Sequence, residues 1–479
     1  MRKSYTATIW SVFDRVWSQI VGFIIGIILA RLLTPEDYGL VGISMIFIAF
    51  SNVFIEAGFS NALIRKLDRT QADYSTAFYF NAAMGIVMYI ALYFVAPFIA
   101  DYFEDKQLIL LTRLVSITVI LNSLCIVQNA ILTAELKMKE QAIINISAQI
   151  PSGIIAMIFA YRGYGVYSLA IQTVLASLIR TMMFWLRAKW RPTIEFSSES
   201  LRYLWGFGSK LIGANFLGTV FNEIYSVLVG KYVGKRDLGL YAKGRSLSSQ
   251  PESICNGVIQ KVAIPLLATY QDMPAVLKEK YKELTQIITC VMTLISGILI
   301  VTAQPLVLLL WGEKWEETFP IFQLIVISNV VSYVSTLALV LLQIVNHTEY
   351  TLKLEFIKKP VCLVIILFML QFGLYGLLVA MIICSLLATV VNMSAPMKYI
   401  SYGYMEQLKD VFNYVLSLIL ASLSVFILTK SLTLDIKVVQ IILRSFVFCV
   451  VYMGMLWILH DRILLKYGFS LISAIKGKI

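Results

Sequence analysis

Leu29-Ala30-Arg31-Leu32-Leu33-Thr34-Pro35-Glu36-Asp37-Tyr38-Gly39-Leu40 is a short polar turn set between two apolar runs, and it recurs. A shift of 200 residues brings Arg31, Asp37, Gly39 and Leu40 onto Lys231, Asp237, Gly239 and Leu240. A shift of 208 brings Pro97 onto Pro305, and Gly165, Tyr167 and Leu169 onto Gly373, Tyr375 and Leu377. A single Gly or Leu match in apolar sequence is weak. The shared position of these matches in the pattern of apolar runs makes the two halves related.

The runs on either side of the turn set the fold class. Of 479 residues, 59% are hydrophobic and 14% charged, with a mean hydropathy of +0.80. That is too apolar for a protein with a solvated surface. Windows of about twenty apolar residues, each long enough to cross a hydrocarbon core of about 30 Å as a helix, fall near 10–33, 39–63, 77–99, 108–133, 141–161, 165–187, 205–230, 239–268, 284–311, 319–345, 354–372, 374–396, 412–430 and 439–460. This predicts an all-α polytopic membrane protein of about fourteen spans. The eighth run holds Lys243, Arg245, Glu252 and Lys261, and its reading as a span rests on the repeat. Each half has an even number of spans, so both run in the same direction, as in transporters whose lobes enclose a central cavity. The expected organisation is an N-terminal lobe at 1–196, a C-terminal lobe at 197–400, and two extra helices with a tail at 401–479. No connection exceeds about twenty residues, which leaves no room for an extramembrane domain.

Orientation follows from loop charge. With the N-terminus inside, the inside segments carry about 23 Lys and Arg and the outside ones about 8, the bias of cytoplasmic loops. The outside loops are acidic instead, as at Asp101, Glu104 and Asp105 or Glu313, Glu316 and Glu317. Lys231, Lys235 and Arg236 are the basic residues that run against the pattern. Both termini are therefore expected in the cytoplasm, with the first span retained rather than cleaved. The net charge of +12 is explained by topology and gives no reason to expect nucleic acid.

The 200-residue shift also sets Asn52 and Glu56 against Glu252 and Asn256, acid and amide exchanged, each pair spaced to share one helix face. That face in span eight runs through Arg245, Ser249, Glu252, Asn256 and Gln260 and cannot face lipid at low cost. A second polar face in span seven runs through Asn215, Thr219, Asn222 and Ser226, beside Glu223. Intramembrane charges cost about 2.5 to 3.5 kcal/mol each, so each marks a pathway unless it snorkels to an interface. Asp14, Arg15, Lys210 and Arg113 lie near interfaces, where snorkelling and a cavity role both fit. Arg180 lies deeper, and Glu56, Glu223, Arg245 and Glu252 deeper still, where the cavity reading competes only with a buried pair such as Arg245 with Glu252. Gly22, Gly26 and Ala30 put small residues every fourth position, a pattern of close helix packing.

The remaining features are structural. Cys125, Cys255, Cys290, Cys362, Cys384 and Cys449 are scattered in apolar runs with no CxxC pair. His347 and His460 are too sparse for metal binding, and the tryptophans cluster at span ends, where indoles prefer headgroups. Asn145, Asn346 and Asn392 begin chance glycosylation sequons. The tail from Asp461 is either an amphipathic surface helix or frayed. No phosphate loop, nucleophile elbow or metal cluster is present, so the chain is not expected to be an enzyme or to need a cofactor.

The turn at residues 29–40 resembles the signature of the polysaccharide flippases, the Wzx-like exporters of the multidrug/oligosaccharidyl-lipid/polysaccharide superfamily. Glu56-Ala57-Gly58-Phe59 through Ala62-Leu63-Ile64-Arg65, and Gly312-Glu313-Lys314-Trp315, are similar to the colanic-acid-exporter branch. The resemblance implies an alternating-access flippase in the bacterial cytoplasmic membrane that moves undecaprenyl-diphosphate-linked oligosaccharide from the inner to the outer leaflet. Arg15, Arg180, Lys210 and Arg245 then become candidate partners of the diphosphate, and Asn222, Ser249 and Asn256 of sugar hydroxyls. Glu56, Glu223 and Glu252 become candidates for coupling to a proton or sodium gradient. A drug/cation antiporter of the same superfamily is the alternative. A membrane glycosyltransferase or polymerase, which would want a large outside loop, fits less well.

Overall fold

The computed structural model describes residues 2–56, 59–66, 68–431 and 436–461, and every regular element among them is helical. Two compact units divide the chain at Ala242/Lys243. The first holds α1 (Arg2–Leu32), α2 (Pro35–Glu56), α3 (Phe59–Arg65), α4 (Gln71–Tyr102), α5 (Gln107–Ser123), α6 (Ile126–Ala134), α7 (Met138–Tyr161), α8 (Val166–Arg187) and α9 (Ser198–Leu228). α10 (Lys235–Val258) begins in the first unit and continues into the second, followed by α11 (Ile264–Ala268), α12 (Pro274–Trp311), α13 (Thr318–Tyr333), α14 (Thr336–Ile344), α15 (Thr348–Met369), α16 (Gly373–Asn392), α17 (Ser394–Ile400), α18 (Tyr404–Ser431) and α19 (Lys437–Ile458). The tail from residue 462 lies outside the described residues.

Ten stretches among the described residues are helical, long and apolar enough to cross a membrane, and α5 with α6 makes an eleventh as a bent pair. One of the ten, Thr348–Ile400, is 53 residues long, far beyond a single crossing of about twenty residues. It folds back at Gly373, because the Cys384 thiol on α16 reaches the Cys362 carbonyl on α15 at 3.8 Å. α10, the eighth predicted span, is too polar to be among the ten, through the residues that drew attention in the sequence.

In the first unit α1 packs along α7. Ile25, Leu29 and Leu33 bury themselves against Ala156 and Ala160, a small-residue surface that lets backbones approach where lipid offers no hydrophobic drive. A Cβ at Gly22 would meet Gln149 Nε2 of α7 at 2.7 Å, while one at Gly26 would meet nothing within 4 Å. α9 belongs to this unit through α2: the Phe216 ring lies 5.8 and 5.7 Å from Phe50 and Phe54. The connection before α9 is clasped to the start of α4, with Trp190 Nε1 donating to Gln71 Oε1 at 2.8 Å and the Ser197 amide to Thr76 Oγ1 at 2.9 Å. The compact division thus groups the chain differently from the repeat, whose first half ends before α9.

In the second unit α18 and α19 pack on α12. A Cβ at Gly297 would strike the Phe448 ring of α19 and the Leu418 side chain of α18. The Tyr452 hydroxyl shares a hydrogen bond of 2.7 Å with Thr293 in the same seam. A second core gathers Tyr281, Leu337, Leu341 and Tyr402.

The fourth predicted span is broken in each half, at Leu124–Cys125 between α5 and α6 with a bend of 42°, and at Val334–Ser335 between α13 and α14. A break frees carbonyls that lipid cannot hydrate. Both are mended alike: Thr181 Oγ1 on α8 donates to the Leu121 carbonyl at 2.8 Å, and Thr389 Oγ1 on α16 donates to the Val331 carbonyl at 2.9 Å.

Candidate functional site

The repeated turn at residues 34–39 starts α2 with a capping box. Thr34 Oγ1 accepts from the Asp37 amide at 3.3 Å, and Asp37 Oδ2 accepts from the Thr34 amide and hydroxyl, each at 2.9 Å. Pro35 sits at the first helical position, where its missing N–H is harmless. From this start α2 carries Asn52, half-buried, and Glu56, exposed at the helix end. α9 packs beside it with Asn222 exposed and Glu223 half-buried. The first unit therefore brings Asn52, Glu56, Asn222 and Glu223 onto two packed helices. Lys210 lies on α9, but its side chain is outside the described residues.

Arg15 is exposed on α1. Its neighbour Asp14 is held between helices: Asn145 Nδ2 of α7 donates to both carboxylate oxygens at 3.3 and 3.1 Å, and Ser18 Oγ donates at 3.3 Å. Gln149 Nε2 completes the group by donating to the Ser18 carbonyl at 2.9 Å. In the sequence Asp14 reads as near-interfacial, and its partner lies 131 residues away, so nothing local signals the pair.

Arg180 lies on α8 next to Thr181, the residue that mends the first break. It is half-buried, and its buried Nε has no hydrogen-bond partner among the described residues. Two amides join it in that condition. Asn81 on α4 and Gln128 on α6 are both 0% exposed, and neither end of either amide is paired. Gly85, one turn from Asn81, lies against Ser123, and Phe78, one turn the other way, packs with Val127, so Asn81 stands at the level of the break. Buried amides without partners are costly and mark places built for polar contacts. Single uncharged amides inside apolar runs are the sequence signal here, a signal that a search for intramembrane charges passes over.

In the second unit Gln260, just past the end of α10, is exposed, and α10 itself presents Arg245 and Ser249 half-buried and Glu252 and Asn256 exposed. Pro251 lies within it, and a π-helical turn at Ile259–Ala263 follows, an irregularity frequent at functional places. Ser249 Oγ turns back to the Ser246 carbonyl at 2.9 Å. Elsewhere in this unit a cavity of about 940 Å³ is lined by four lysines and five carboxylates. Lys278 pairs with Glu406 at 2.8 Å and Lys282 with Asp410 at 2.9 Å, and so balanced a lining does not select an anion. Among the described residues no cluster of His, Cys, Asp and Glu has metal-binding geometry.

Residues 28–320 match a family described as polysaccharide biosynthesis protein. The teichuronic acid biosynthesis protein TuaB of Bacillus subtilis is 23% identical over 284 residues, 59% of each chain. The succinoglycan biosynthesis transport protein ExoT of Rhizobium meliloti is 23% identical over 323 residues, 67% of this chain and 65% of its own. The chain thus spans less than two thirds of the length of these relatives. Among solved structures, the lipid II flippase MurJ in an inward closed conformation superposes with a TM-score of 0.71 at 17% identity, over 95% of this chain and 100% of that one. At that identity the likeness establishes the fold.

Proposed function

This chain belongs to the polysaccharide biosynthesis protein family, and from that membership we propose that it is a flippase carrying undecaprenyl-diphosphate-linked oligosaccharide from the inner to the outer leaflet of the bacterial cytoplasmic membrane. The family match over residues 28–320 carries the reading, and the fold shared with a lipid II flippase supports it. The lipid tail stays in the bilayer while the charged head group crosses, so the protein must offer polar groups along spans that hydropathy would make apolar. Arg15, Arg180, Lys210 and Arg245 are assigned to the diphosphate, for which guanidinium and ammonium groups give charge-assisted hydrogen bonds. Asn222, Ser249 and Asn256 are assigned to sugar hydroxyls. Movement proceeds by alternating access in a fourteen-span chain with both termini cytoplasmic. It needs no catalytic residue and no cofactor.

Glu56, Glu223 and Glu252 are assigned to coupling, since a carboxylate that exchanges a proton or sodium ion changes charge as the protein changes state. Normal transport by the triple Glu→Gln variant under every imposed gradient would remove this assignment. The flippase reading is tested by deleting the gene and locating the lipid-linked repeat unit. It accumulates with the sugar on the cytoplasmic side if the reading holds. An unchanged distribution between leaflets contradicts it.

A further inference from the structure

The turn at residues 35–39 and its copy at 235–239 begin α2 and α10, and within the first unit they lie against each other. A Cβ at Gly39 would collide with the Lys235 carbonyl, and one at Gly239 with the Pro35 carbonyl. The two collisions are one contact seen from both sides, with 35 and 235 and 39 and 239 exchanged, as a local two-fold axis requires. Leu238 seats beside it on Gly42 and Gly230, with Ile43 and Phe103 closing around Gly230.

Ion pairs ring this contact. Arg236 lies 3.5 Å from Glu36, its counterpart in the repeat. Lys231 pairs with Glu104 at 2.9 Å and also donates to the Tyr102 carbonyl, and Lys235 pairs with Asp105. These are the three basic residues that run against the positive-inside pattern, and each meets an acid of the segments assigned outside. Their placement outside the membrane has a local reason.

We propose that this reciprocal turn, ringed by the three ion pairs, is an outer latch that closes the extracytoplasmic end of the protein and parts each time cargo is released to the outer leaflet. The release step rests on the flippase reading above. The contact itself is backbone of Pro35, Gly39, Lys235 and Gly239, which fixes register, with Leu238 and Ile43 buried beside it. The ion pairs around it are part-exposed, and such pairs are individually weak and salt-screened. The contact is specific in position, and its polar rim is readily undone. Two copies of one turn closing on each other also give the duplicated motif a use beyond starting a helix.

The test uses Ile43→Cys as reporter, since Ile43 lies beneath the latch at 1% exposure, and an impermeant maleimide applied to intact cells, with the wild-type chain giving the background of its native thiols. The reporter labels slowly. Adding Arg236→Glu raises the labelling rate by about three- to tenfold, the range expected for losing an exposed pair and gaining a repulsion. The exchange Glu36→Arg with Arg236→Glu restores protection. If Arg236→Glu fails to reach the membrane, Lys235→Gln serves in its place with a smaller rise. Unchanged labelling in these variants, or an exchange that leaves the reporter exposed at normal protein level, overturns the latch. A Glu36→Cys/Arg236→Cys disulfide should stop export until it is reduced, and continued export by the cross-linked protein also overturns it. Labelling needs no cargo, so protection that follows the charges in a protein that moves no lipid-linked sugar contradicts the flippase reading and leaves the closure itself intact.

Discussion

Gly26 and Gly39 look alike in the sequence, yet a Cβ added at the first would meet nothing within 4 Å and one at the second would strike backbone. Gly39→Ala forces two main chains apart and should lower stability by about 1–3 kcal/mol, whereas Gly26→Ala should be neutral or slightly stabilising through helix propensity. Thermal unfolding of the two purified variants in detergent checks this contrast, and equal shifts would contradict it. Lys66 and Asp73 offer a pH prediction at the same scale. Burial alone would push the Asp73 carboxyl up, but the Lys66 ammonium at 2.8 Å and the Thr70 amide outweigh it and hold it below the usual carboxylate range. A carboxyl with a lowered folded pKa contributes stability that is fully present above its unfolded value and is lost as pH falls through the folded one. The wild type should therefore lose stability relative to Asp73→Asn as pH falls through the usual carboxylate range and below it, and hold its advantage above that range. A difference between them that shrinks on going from pH 5 to pH 7 would contradict this. Individual polar residues were legible where they broke an apolar run, as with Glu252 or Arg245. Their partners were not, because Asp14 finds Asn145 through the register of α1 on α7, which no local spacing encodes.

At the scale of elements, the broken fourth span is the least expected feature. Neither Leu124–Cys125 nor Val334–Ser335 contains proline or glycine, the residues that ordinarily mark a kink. Hydropathy therefore finds one continuous run in each half. The mending hydroxyls lie two predicted spans away, on α8 and α16. Thr181→Val and Thr389→Val each leave a buried carbonyl unpaired, and each should cost about 1 kcal/mol, with Ser in either position retaining most of it. Detergent melting curves for the four variants test this, and a Val variant no weaker than its Ser counterpart would count against it. α10 shows the opposite case. Its composition hides it from hydropathy, and only the 200-residue repeat reveals that a helix must be there.

Across the whole molecule the duplication is written in backbone conformation as well as sequence. Left-handed residues recur at Glu104 and Gly312, Leu136 and Asn346, and Gly165 and Gly373, so equivalent connections bend alike even where the side chains differ. The membrane class and the helical architecture were legible because period, length and loop charge are set by the bilayer itself. The residues proposed to meet cargo were less so, because they are scattered along the chain and form no short motif. The proposed activity is movement of a lipid-linked oligosaccharide across the bilayer. Its most direct test is reconstitution of the purified protein into vesicles holding fluorescent undecaprenyl-diphosphate-oligosaccharide in the inner leaflet, with appearance of the sugar outside followed by an impermeant quencher or lectin. Vesicles with protein should expose the sugar many times faster than vesicles without it, and rates that do not differ would contradict the claim.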